Sequence, residues 1–441
     1  MKDIKVILLT AGISKRLWPL QDKHFIQFLG KPLIYHSLLQ LQRFGFRDFI
    51  LVINKENKTK FENIKIFFQN IKIEIIEQNE IPGMVGAVLS AKKQIAGNKV
   101  LIVGPSDIYE DIIFTSFSSL LRCDPDGIIS GKQMKQYFPG AYLKIKKGNI
   151  VSITEKPKEE EIPSNVVSFV FDYFNNADSL ISTLENFKKN KEDGFEKALD
   201  SLVKKGAILK LLNYNGYWGF IKYPWHILAS TDYFLGKIQK TKYGREVIIS
   251  PKSVVSGNVY LEDGVRVLEN AKIIGPSYIG KGTIVGNGAL IRESMVGDYN
   301  VLGFGTEIAR SYIGNNCWFH SNYVGDSVIA DNVAIGAGSV LANFRLDEKV
   351  IKSRISNEFL DTGKIKLGAA IGENVRIGVN VSIMPGVKIG RDCFLGAGVV
   401  LDKDLPDDKY CALKSGQYTV KDNLNGHKNS RREKQRASLR F

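Results

Sequence analysis

Short apolar runs alternate with amphipathic stretches over the first half of the chain. Runs such as Val6–Leu9 and Lys99–Val103 have the length and the aliphatic content of buried strands. Stretches such as Ile34–Phe44 and Val85–Ile95 are long enough for helices. Strands that alternate with helices are typical of a parallel sheet covered by crossover helices. The pattern therefore predicts an α/β, Rossmann-like domain over residues 1–235.

Beyond about residue 248 the period changes, because an aliphatic residue recurs at every sixth position. These residues are Val255, Leu261, Val267, Ile273, Ile279, Val285 and Ile291, and then Ile371, Ile377, Ile383, Ile389, Leu395 and Leu401. A six-residue step combines one short strand with one turn, and three steps close a triangular coil. The repeat predicts a left-handed parallel β-helix over residues 248–415.

Two segments break the hexapeptide pattern. The polar stretch 343–366 interrupts it and is expected to loop out of the coils, where it could reach a neighbouring subunit. After Ser415 the chain loses its periodicity and becomes polar and basic. Residues 416–441 are therefore predicted to form a disordered tail.

The formal net charge of +15 is concentrated in part at the end of the chain, where residues 421–440 carry seven basic and two acidic side chains. The remaining surplus also suits anionic substrates such as nucleotides and sugar phosphates, so nucleic-acid binding is not expected to be the main function. No apolar run approaches the roughly 20 residues of a membrane span, and no signal peptide is recognisable. We therefore expect a cytoplasmic enzyme. The four widely spaced cysteines favour packing roles over disulfides or a zinc site.

The first strand runs into a turn of small residues, in the sequence LTAGISKRLWPL at 9–20 that precedes GKPLI at 30–34. Backbone N–H groups at such a turn can bind an anion or a base. In these motifs residues 1–230 resemble the sugar-1-phosphate nucleotidyltransferases. The resemblance implies two contacts at the turn and two cations at the phosphates of a nucleoside triphosphate, namely Ala11, Gly12, Arg16 and Lys23.

Further matches follow in the order that this family has. Gln78 and Gly83 match its nucleobase-recognition turn, and Asp107 matches its Mg²⁺ ligand. Four positions match its contacts to the sugar and the sugar phosphate: Gly140, Glu155, Lys156 and Asn165. The resemblance implies attack by a sugar 1-phosphate oxygen on the α-phosphorus of a nucleoside triphosphate, with release of pyrophosphate.

Several positions depart from the family pattern. Ser14, Met84 and Val167 replace a Gly, a Thr and a Gly, and the loop ahead of Lys23 is three residues short. Phe220 replaces the second Mg²⁺-binding Asp, and a phenyl ring cannot ligate magnesium. Two interpretations of the first half stay open: a nucleotidyltransferase with altered metal binding, and a degenerate domain that is kept for structure or binds sugar nucleotides.

Polar and basic residues gather where the hexapeptide pattern is interrupted: His320, Tyr323, Asn343, Lys349 and Lys352. The stretch from there to residue 390 resembles the archaeal type of bifunctional UDP-N-acetylglucosamine pyrophosphorylase and glucosamine-1-phosphate N-acetyltransferase. The resemblance implies that His320 is the general base, that the other four residues bind substrate or tune the transfer, and that Arg292 binds phosphate. An amino sugar must lose a proton before it attacks a thioester, and imidazole suits that task.

The preferred hypothesis is a bifunctional enzyme that uses acetyl-CoA, UTP and Mg²⁺. The resemblance also implies a homotrimer with acyl-CoA between subunits. Ala334 replaces an Asn that the family often uses to contact the amino sugar, so that the acceptor could differ from glucosamine 1-phosphate. A carbonic anhydrase-like zinc site needs three histidines, and His320 is the only one within residues 248–415.

Two alternatives to this hypothesis remain. The first is a nucleotidyltransferase of glucose 1-phosphate or mannose 1-phosphate, in which the β-helix only organises the oligomer. The second is a non-catalytic regulatory subunit that binds sugar nucleotides, and the replacement at Phe220 suggests it.

Overall fold

The protein is seen in a computed structural model that describes residues 1–189, 193–414 and 417–423, and it divides into two compact units. The first unit comprises Met1–Ile13 and Leu33–Phe220, and the second comprises Ser14–Pro32 and the chain from Ile221 onward. The predicted domain boundary at residue 235 stays a prediction. Among the described residues, no helix combines the length and the apolar character needed to cross a membrane.

A ten-stranded sheet lies at the centre of the first unit. Across the sheet its strands are Val166–Ser168, Ala141–Lys146, Asn149–Glu155, Leu209–Asn213, Gly127–Gln133, Phe171–Phe174, Lys99–Val103, Ile4–Leu9, Asp48–Ile53 and Lys72–Glu77. The last four are parallel, with Val6 opposite both Phe49 and Leu101. The predicted parallel arrangement is confirmed for these strands.

The other part of this sheet is mainly antiparallel, which differs from the prediction. The strands Ala141–Lys146 and Asn149–Glu155 pair as a hairpin, and Phe171–Phe174 runs antiparallel to Lys99–Val103. The turn at Lys147 and Gly148 needs positive φ at both residues and permits the reversal without a crossover helix. A strand that returns through such a short turn must pair antiparallel.

Helices cover the sheet of the first unit. Within the described residues they are Leu33–Arg43, Lys58–Lys65, Gly83–Ser90, Lys92–Ile95, Ile112–Leu121, Ala177–Glu185 and Gly194–Lys204. The single helix predicted over Val85–Ile95 is interrupted at Ala91, whose backbone leaves the helical region. Apolar side chains such as Leu180 and Leu199 join Ile7 and Val100 of the sheet in one buried cluster.

The segment Ser14–Pro32 packs within the second unit. Phe28 is fully buried and its ring stacks on Phe234, with the ring centroids 4.6 Å apart. Trp18 Nε1 donates a hydrogen bond to Asp407 Oδ1 at 2.8 Å. The segment contains the short 3₁₀ helices Lys15–Leu17 and Lys23–Phe25 and a two-stranded hairpin, Gln27–Phe28 with Lys31–Pro32.

Three stacks of parallel strands form the faces of a β-helix in the second unit, after the helix His226–Leu235. The first face contains Lys242–Tyr243, Val259–Leu261, Ser277–Ile279, Met295–Val296, Tyr312–Ile313, Val328–Ile329, Ala370–Ile371 and Lys388–Ile389. The second contains Ile248–Ile249, Arg266–Val267, Ile284–Val285, Val301–Leu302, Trp318–Phe319, Ala334–Ile335, Arg376–Ile377, Phe394–Leu395, Lys409–Lys414 and Gln417–Asp422. The third contains Val254–Ser256, Lys272–Ile274, Leu290–Arg292, Glu307–Ala309, Tyr323–Gly325, Val340–Leu341, Ser382–Ile383 and Val400–Leu401. The predicted β-helix is confirmed.

The aliphatic residues named above for the six-residue repeat are buried in one continuous core, except Val255, which is partly buried and packs against it. Between Ile291 and Ile371 the step falls to five residues at some corners, as between Ile308 and Ile313. Three buried serines, Ser294, Ser311 and Ser327, occupy the shortened corners between the third and first faces. We call them the serine ladder.

Each hydroxyl of the serine ladder accepts a main-chain hydrogen bond from the next coil. Ser294 Oγ accepts the N–H of Ser311 at 3.1 Å, and Ser311 Oγ accepts the N–H of Ser327 at 3.0 Å. Ser327 Oγ in turn accepts the N–H of Ala369 at 3.1 Å. The ladder therefore satisfies backbone groups that the shortened corners would leave buried and unpaired.

Two features end or interrupt the coils. The chain leaves the third face after Val340–Leu341 and returns at Ala370–Ile371, and the predicted loop between them contains an antiparallel hairpin, Lys352–Ile355 with Glu358–Asp361. At the end, Gln417–Asp422 pairs with Lys409–Lys414. The tail predicted from residue 416 thus begins with a strand, and residues 424–441 lie outside the described part of the chain.

Candidate active sites

The turn after the first strand carries the predicted nucleotide contacts Ala11 and Gly12. Thr10 Oγ1 donates to the carbonyl oxygen of Val52 at 2.7 Å and fixes the chain where the turn begins. Gly12 is exposed, and a Cβ atom added to it would meet no atom within 4 Å. The backbone of this turn is therefore accessible to a ligand.

A second turn brings Gln78 and Gly83 together. Gln78 Nε2 donates to the carbonyl oxygens of Ile81 and Gly83, at 2.8 and 3.1 Å. Gly83 has φ +75°, which favours glycine, and it begins the helix Gly83–Ser90. The side-chain amide N–H groups of Gln78 thus shape the turn, and its carbonyl oxygen is the group left to contact a base.

A cavity of ≈ 160 Å³ lies in the first unit. It is lined by Met84, Gly140, Ala141, Ile153, Glu155, Ser168, Phe169, Val170, Asp172, Phe195, Glu196 and Leu199. Two predicted sugar contacts, Gly140 and Glu155, therefore share one cavity.

The other two predicted sugar contacts differ from each other. Lys156 lies beside the cavity, since its Nζ is 3.2 Å from Glu155 Oε1 and its N–H donates to the carbonyl oxygen of Gly140 at 3.0 Å. Asn165 is exposed and does not line the cavity, and its carbonyl oxygen accepts the N–H of Met134. Its predicted role has no support from this geometry and stays a prediction.

Two acids in the cavity, Asp172 and Glu196, were not among the predicted site residues. Asp172 is 2 % exposed, and burial raises the pKa of its carboxyl well above the ordinary range. Burial, followed by the charge of Glu155, raises the pKa of Glu196 to about 7. A lone aspartate inside the apolar run 166–174 was the available sequence signal.

Phe220 lies directly opposite the predicted metal ligand Asp107. The strand Trp218–Phe220 pairs antiparallel with Asp107–Tyr109, and the register sets Phe220 against Asp107. The Phe220 ring packs on the rings of Phe138 and Trp218, with centroids 5.4 and 5.3 Å away. Aromatic packing thus fills the position from which a second carboxylate would face the first.

Asp107 alone fits only part of a magnesium site. Its Oδ1 accepts a hydrogen bond from Trp218 Nε1 at 3.3 Å. Within the described residues, no three His, Cys, Asp or Glu side chains form a group that could hold a metal ion. Magnesium at nucleotide sites is commonly held by one or two carboxylates together with substrate phosphates and water. Asp107 therefore suits an ion that arrives with the phosphates of a nucleotide.

Arg16 and Lys23 lie in the second unit, on the two 3₁₀ helices of the segment Ser14–Pro32. Arg16 is exposed and Lys23 is partly exposed. Their roles at the phosphates stay predictions. The sequence match could not show which unit holds these residues, because it compares residues along the chain and not their packing.

His320 stands at a corner of the β-helix, between the second and third faces. The equivalent corner residues one coil before and one coil after it are Gly303 and Gly336, because Phe319 pairs with Leu302 and Ile335. A Cβ atom at Gly336 would lie 2.7 Å from the main chain of Gly378 in the next coil. Neighbouring corners therefore have no room for a side chain where His320 has one.

A local change of backbone makes room for His320. The corner is one residue shorter than that after Gly303, and Ser321 adopts φ +49°. The N–H groups of Gly303 and Gly336 donate to carbonyl oxygens of the following coil. The N–H of His320 donates instead to Asn322 Oδ1 at 2.6 Å. The exposed imidazole lies parallel to the Trp318 ring, with centroids 6.2 Å apart.

The corner between the third and first faces holds two other predicted residues. A Cβ atom at Gly325 would lie 2.6 Å from both the Tyr323 hydroxyl and Asn343 Nδ2, so these groups converge on one glycine. Asn343 Nδ2 donates to Asp326 Oδ2, and Asp326 forms a bidentate ion pair with Arg310 at 2.7 Å. Asp326 and Arg310 thus orient Asn343, and sequence reasoning missed both.

The remaining predicted residues lie on the outer surface. Lys349 and Lys352 are exposed on the loop that leaves the coils. Arg292 is bound to Glu307, with Nη2 2.6 Å from Oε1. Glu307 pairs with Tyr323 on the third face, so Arg292 lies near Tyr323 and would have to exchange Glu307 for a phosphate.

Both halves of the chain are similar to known protein families. The nucleotidyl transferase family matches residues 5–219, and the bacterial transferase hexapeptide family matches residues 368–403. The bifunctional protein GlmU of Methanococcus maripaludis is 33% identical over 432 residues, which cover 92% of this chain and 97% of that protein. The chain belongs to the bifunctional GlmU family.

Other relatives of the GlmU family match over a similar length. A bifunctional sugar-1-phosphate nucleotidylyltransferase/acetyltransferase of Sulfurisphaera tokodaii is 31% identical, over 91% of this chain and 98% of that protein. The GlmU protein of Methanocaldococcus jannaschii is 31% identical, over 92% and 96%. The predicted combination of a nucleotidyltransferase with a hexapeptide acetyltransferase is confirmed.

Glu196 is expected to make the stability of this GlmU-family protein depend on pH. With a pKa of about 7, the folded carboxyl stays protonated while the unfolded one ionises, so stability falls as pH rises from about 4.5 to about 7. We expect Glu196→Gln to raise the free energy of unfolding by about 2 kcal/mol at pH 8 and by almost nothing at pH 4. Hydrogen exchange in Gly194–Lys204 measures it, because the two units need not unfold together.

The control is Asp200→Asn on the same helix. Asp200 accepts the N–H of Ile153 at 2.9 Å and pairs with Lys204 at 2.7 Å, so its loss should destabilise the first unit at pH 8. An equal effect of Glu196→Gln at both pH values would contradict the prediction.

Proposed function

We propose that the protein converts glucosamine 1-phosphate into UDP-N-acetylglucosamine in two steps. In the first, the sugar amine takes the acetyl group from acetyl-CoA. In the second, the N-acetylated sugar 1-phosphate attacks UTP and releases pyrophosphate. The observation that carries this proposal is the altered corner at His320, because it places an imidazole where packing elsewhere requires glycine. A cytoplasmic location stays a prediction.

In the acetyl transfer, His320 accepts a proton from the attacking amine. The amine nitrogen forms a bond to the thioester carbonyl carbon, the carbon–sulfur bond breaks, and the CoA thiolate takes up a proton. Tyr323 and Asn343 contact the sugar, and the cations Lys349 and Lys352 bind its phosphate. General base catalysis by a positioned imidazole is typically worth 10²–10⁴-fold.

These groups do not meet within one copy of the chain. His320 precedes the strand Tyr323–Gly325, whereas Asn343 follows the strand Val340–Leu341 that pairs with it. The two residues therefore lie at opposite edges of the third face. A complete site requires His320 from one subunit and the loop 343–366 of another. This supports the homotrimer with acyl-CoA bound between subunits.

In the uridylyl transfer, the cavity at Gly140 and Glu155 holds the sugar, and the turn at Gln78 and Gly83 contacts the uracil. Arg16 and Lys23 neutralise the triphosphate. Asp107 would hold a Mg²⁺ ion that arrives with UTP, and the ion would stabilise charge at the phosphates. Asp107 is close to the cavity, since a Cβ atom at Gly104 would lie 2.8 Å from Asp107 Oδ2 and 3.1 Å from Val170 Cβ.

The position of Phe220 favours a second candidate function for the first unit. With one carboxylate at the metal position, this unit could retain UDP-sugar without turning it over. Pyrophosphate release separates the two functions, because retention alone produces none.

Turnover of glucosamine 1-phosphate, acetyl-CoA, UTP and Mg²⁺ tests both steps, with free CoA and pyrophosphate followed separately. We expect His320→Ala to lower CoA release at least 10²-fold when assayed with glucosamine 1-phosphate, and to leave pyrophosphate release from N-acetylglucosamine 1-phosphate intact. Arg16→Ala should do the reverse. Asn287→Ala, on a corner two coils earlier, is the matched control. A wild-type protein that releases neither product rules out these substrates.

Mixed oligomers test the shared acetyltransferase site. His320→Ala and Lys352→Ala proteins should each be poor acetyltransferases. Co-expressed in one oligomer, they should recover a substantial part of the wild-type CoA release, because some interfaces then combine an intact His320 with an intact Lys352. Oligomers that contain only one variant are the control. No recovery in mixed oligomers of confirmed composition would place both residues in a site within one subunit.

Phe220→Asp tests the altered metal position. We expect the variant to release pyrophosphate at lower Mg²⁺ concentration, because a second carboxylate then faces Asp107. Phe220→Leu, which keeps an apolar side chain, should not shift the Mg²⁺ dependence. If neither wild type nor Phe220→Asp releases pyrophosphate, the retention function is favoured.

A further inference from the structure

The cavity of the first unit contains a buried carboxyl that the mechanism above does not use. Asp172 lies on the central strand Phe171–Phe174 and is 2 % exposed. Its carboxyl Oδ1 has no hydrogen-bond partner. Asp172 nevertheless lines the cavity. More than nine in ten buried polar groups are hydrogen-bonded, so a cavity-lining residue with an unpartnered buried oxygen is a candidate ligand contact.

A second acid lies in the same cavity. Glu196 projects from the helix Gly194–Lys204, and its Oε2 also has no hydrogen-bond partner. The charged groups near Asp172 are Glu196 and Asp107, and those near Glu196 are Glu155, Lys156 and Asp193. The residues that line the cavity include no cation.

The protonation of the two acids follows from the shortage of cations around the cavity. Lys156 is paired with Glu155, and Ile153, Phe195 and Leu199 surround the acids with apolar surface. Burying an isolated carboxylate costs free energy, so Asp172 is held in its neutral, protonated form. A neutral carboxyl donates one hydrogen bond and can accept another, whereas a carboxylate only accepts.

We propose that Asp172 is a specificity-determining residue of the nucleotidyltransferase step, and that its neutral carboxyl donates a hydrogen bond to an acceptor oxygen of the bound sugar. Glu196 supplies a second contact on the neighbouring wall. The acceptor is the carbonyl oxygen of the acetamido group. An ammonium group has no acceptor, so this wall selects the N-acetylated sugar over the free amino sugar. The inference rests on the proposed function of the first unit.

Calorimetric titration of the full-length protein with UDP-N-acetylglucosamine and with UMP tests this role. The difference between the two ligands isolates the sugar. We expect Asp172→Ala to weaken UDP-N-acetylglucosamine binding about tenfold and to leave UMP binding unchanged. Asp172→Asn, whose amide still donates, should stay within about threefold of wild type. Lys204→Ala, which removes an exposed side chain on the helix of Glu196 outside the cavity, is the control.

The protonation of the acid is read from the same titration in two buffers with different ionisation enthalpies. A neutral donor predicts that almost no proton is released on binding. Release of about one proton would show that Asp172 acts as a carboxylate, and a preference for UDP-glucosamine over the acetylated ligand would show a counter-ion for an amine; either result overturns the proposal. Equal weakening of UMP and UDP-N-acetylglucosamine by Asp172→Ala also overturns it.

Two safeguards separate the possible failures. If Asp172→Ala does not fold, Asp172→Asn and Glu196→Gln are compared by the same titrations, and release of a proton by wild type but not by Asp172→Asn would overturn the neutral donor. If wild type binds neither UMP nor UDP-N-acetylglucosamine, the proposed uridylyl transfer fails and the inference fails with it. If wild type binds both and Asp172→Ala binds both as tightly, only the inference fails.

Discussion

The second unit depends on the register between successive coils. Its strands are mostly two or three residues long, too short for any pair to be stable alone. Each coil is held because its main-chain groups bond to the coils on both sides, while one aliphatic side chain per face enters a shared core. A slip of one residue would turn these side chains outward and break the stacking on three faces at once.

The stacking of the coils also limits the positions at which the β-helix can hold a reactive side chain. Inward positions of the faces are filled by the core, and corners such as Gly303 and Gly336 lie against the next coil. A reactive side chain therefore needs a corner with altered backbone or a segment outside the coils. His320 lies at a corner with altered backbone, where its N–H donates to Asn322 Oδ1 and not to a carbonyl oxygen of the next coil. Lys349 and Lys352 lie on a segment outside the coils, the loop 343–366.

The sequence could predict features that repeat or that lie close together along the chain. The hexapeptide step, the strand at Ile4–Leu9 and the turn that joins Gln78 to Gly83 are of this kind, and the structure has all three. The five-residue corners were missed because a fixed period of six cannot represent them. Those between the third and first faces are stabilised by serines such as Ser311, which bond across coils to residues 16 or 17 positions away.

Features that depend on distant contacts could not be predicted in this way. The sequence predicts phosphate contacts in the segment Ser14–Pro32. This segment packs within the second unit, through contacts such as Phe28 with Phe234. The antiparallel part of the sheet likewise depends on where the strands after residue 127 return. Local patterns fix the type of an element better than its partner, because the partner is selected by packing across the whole unit.

Asp172 shows how a disagreement between the sequence pattern of an element and one of its residues can identify a functional residue. Its neighbours in the run 166–174 specify a buried strand, and the strand forms as they predict, with Asp172 fully inside it. An unpartnered buried polar group costs about 1–3 kcal/mol, a sizeable part of the roughly 5–15 kcal/mol by which domains are stable. A valine at this place would remove that cost without changing the strand. Sequences agree with their folds at most positions and depart from them mainly where a ligand is bound. Asp172, which has an unpartnered oxygen and lines the same cavity as Gly140 and Glu155, is such a departure.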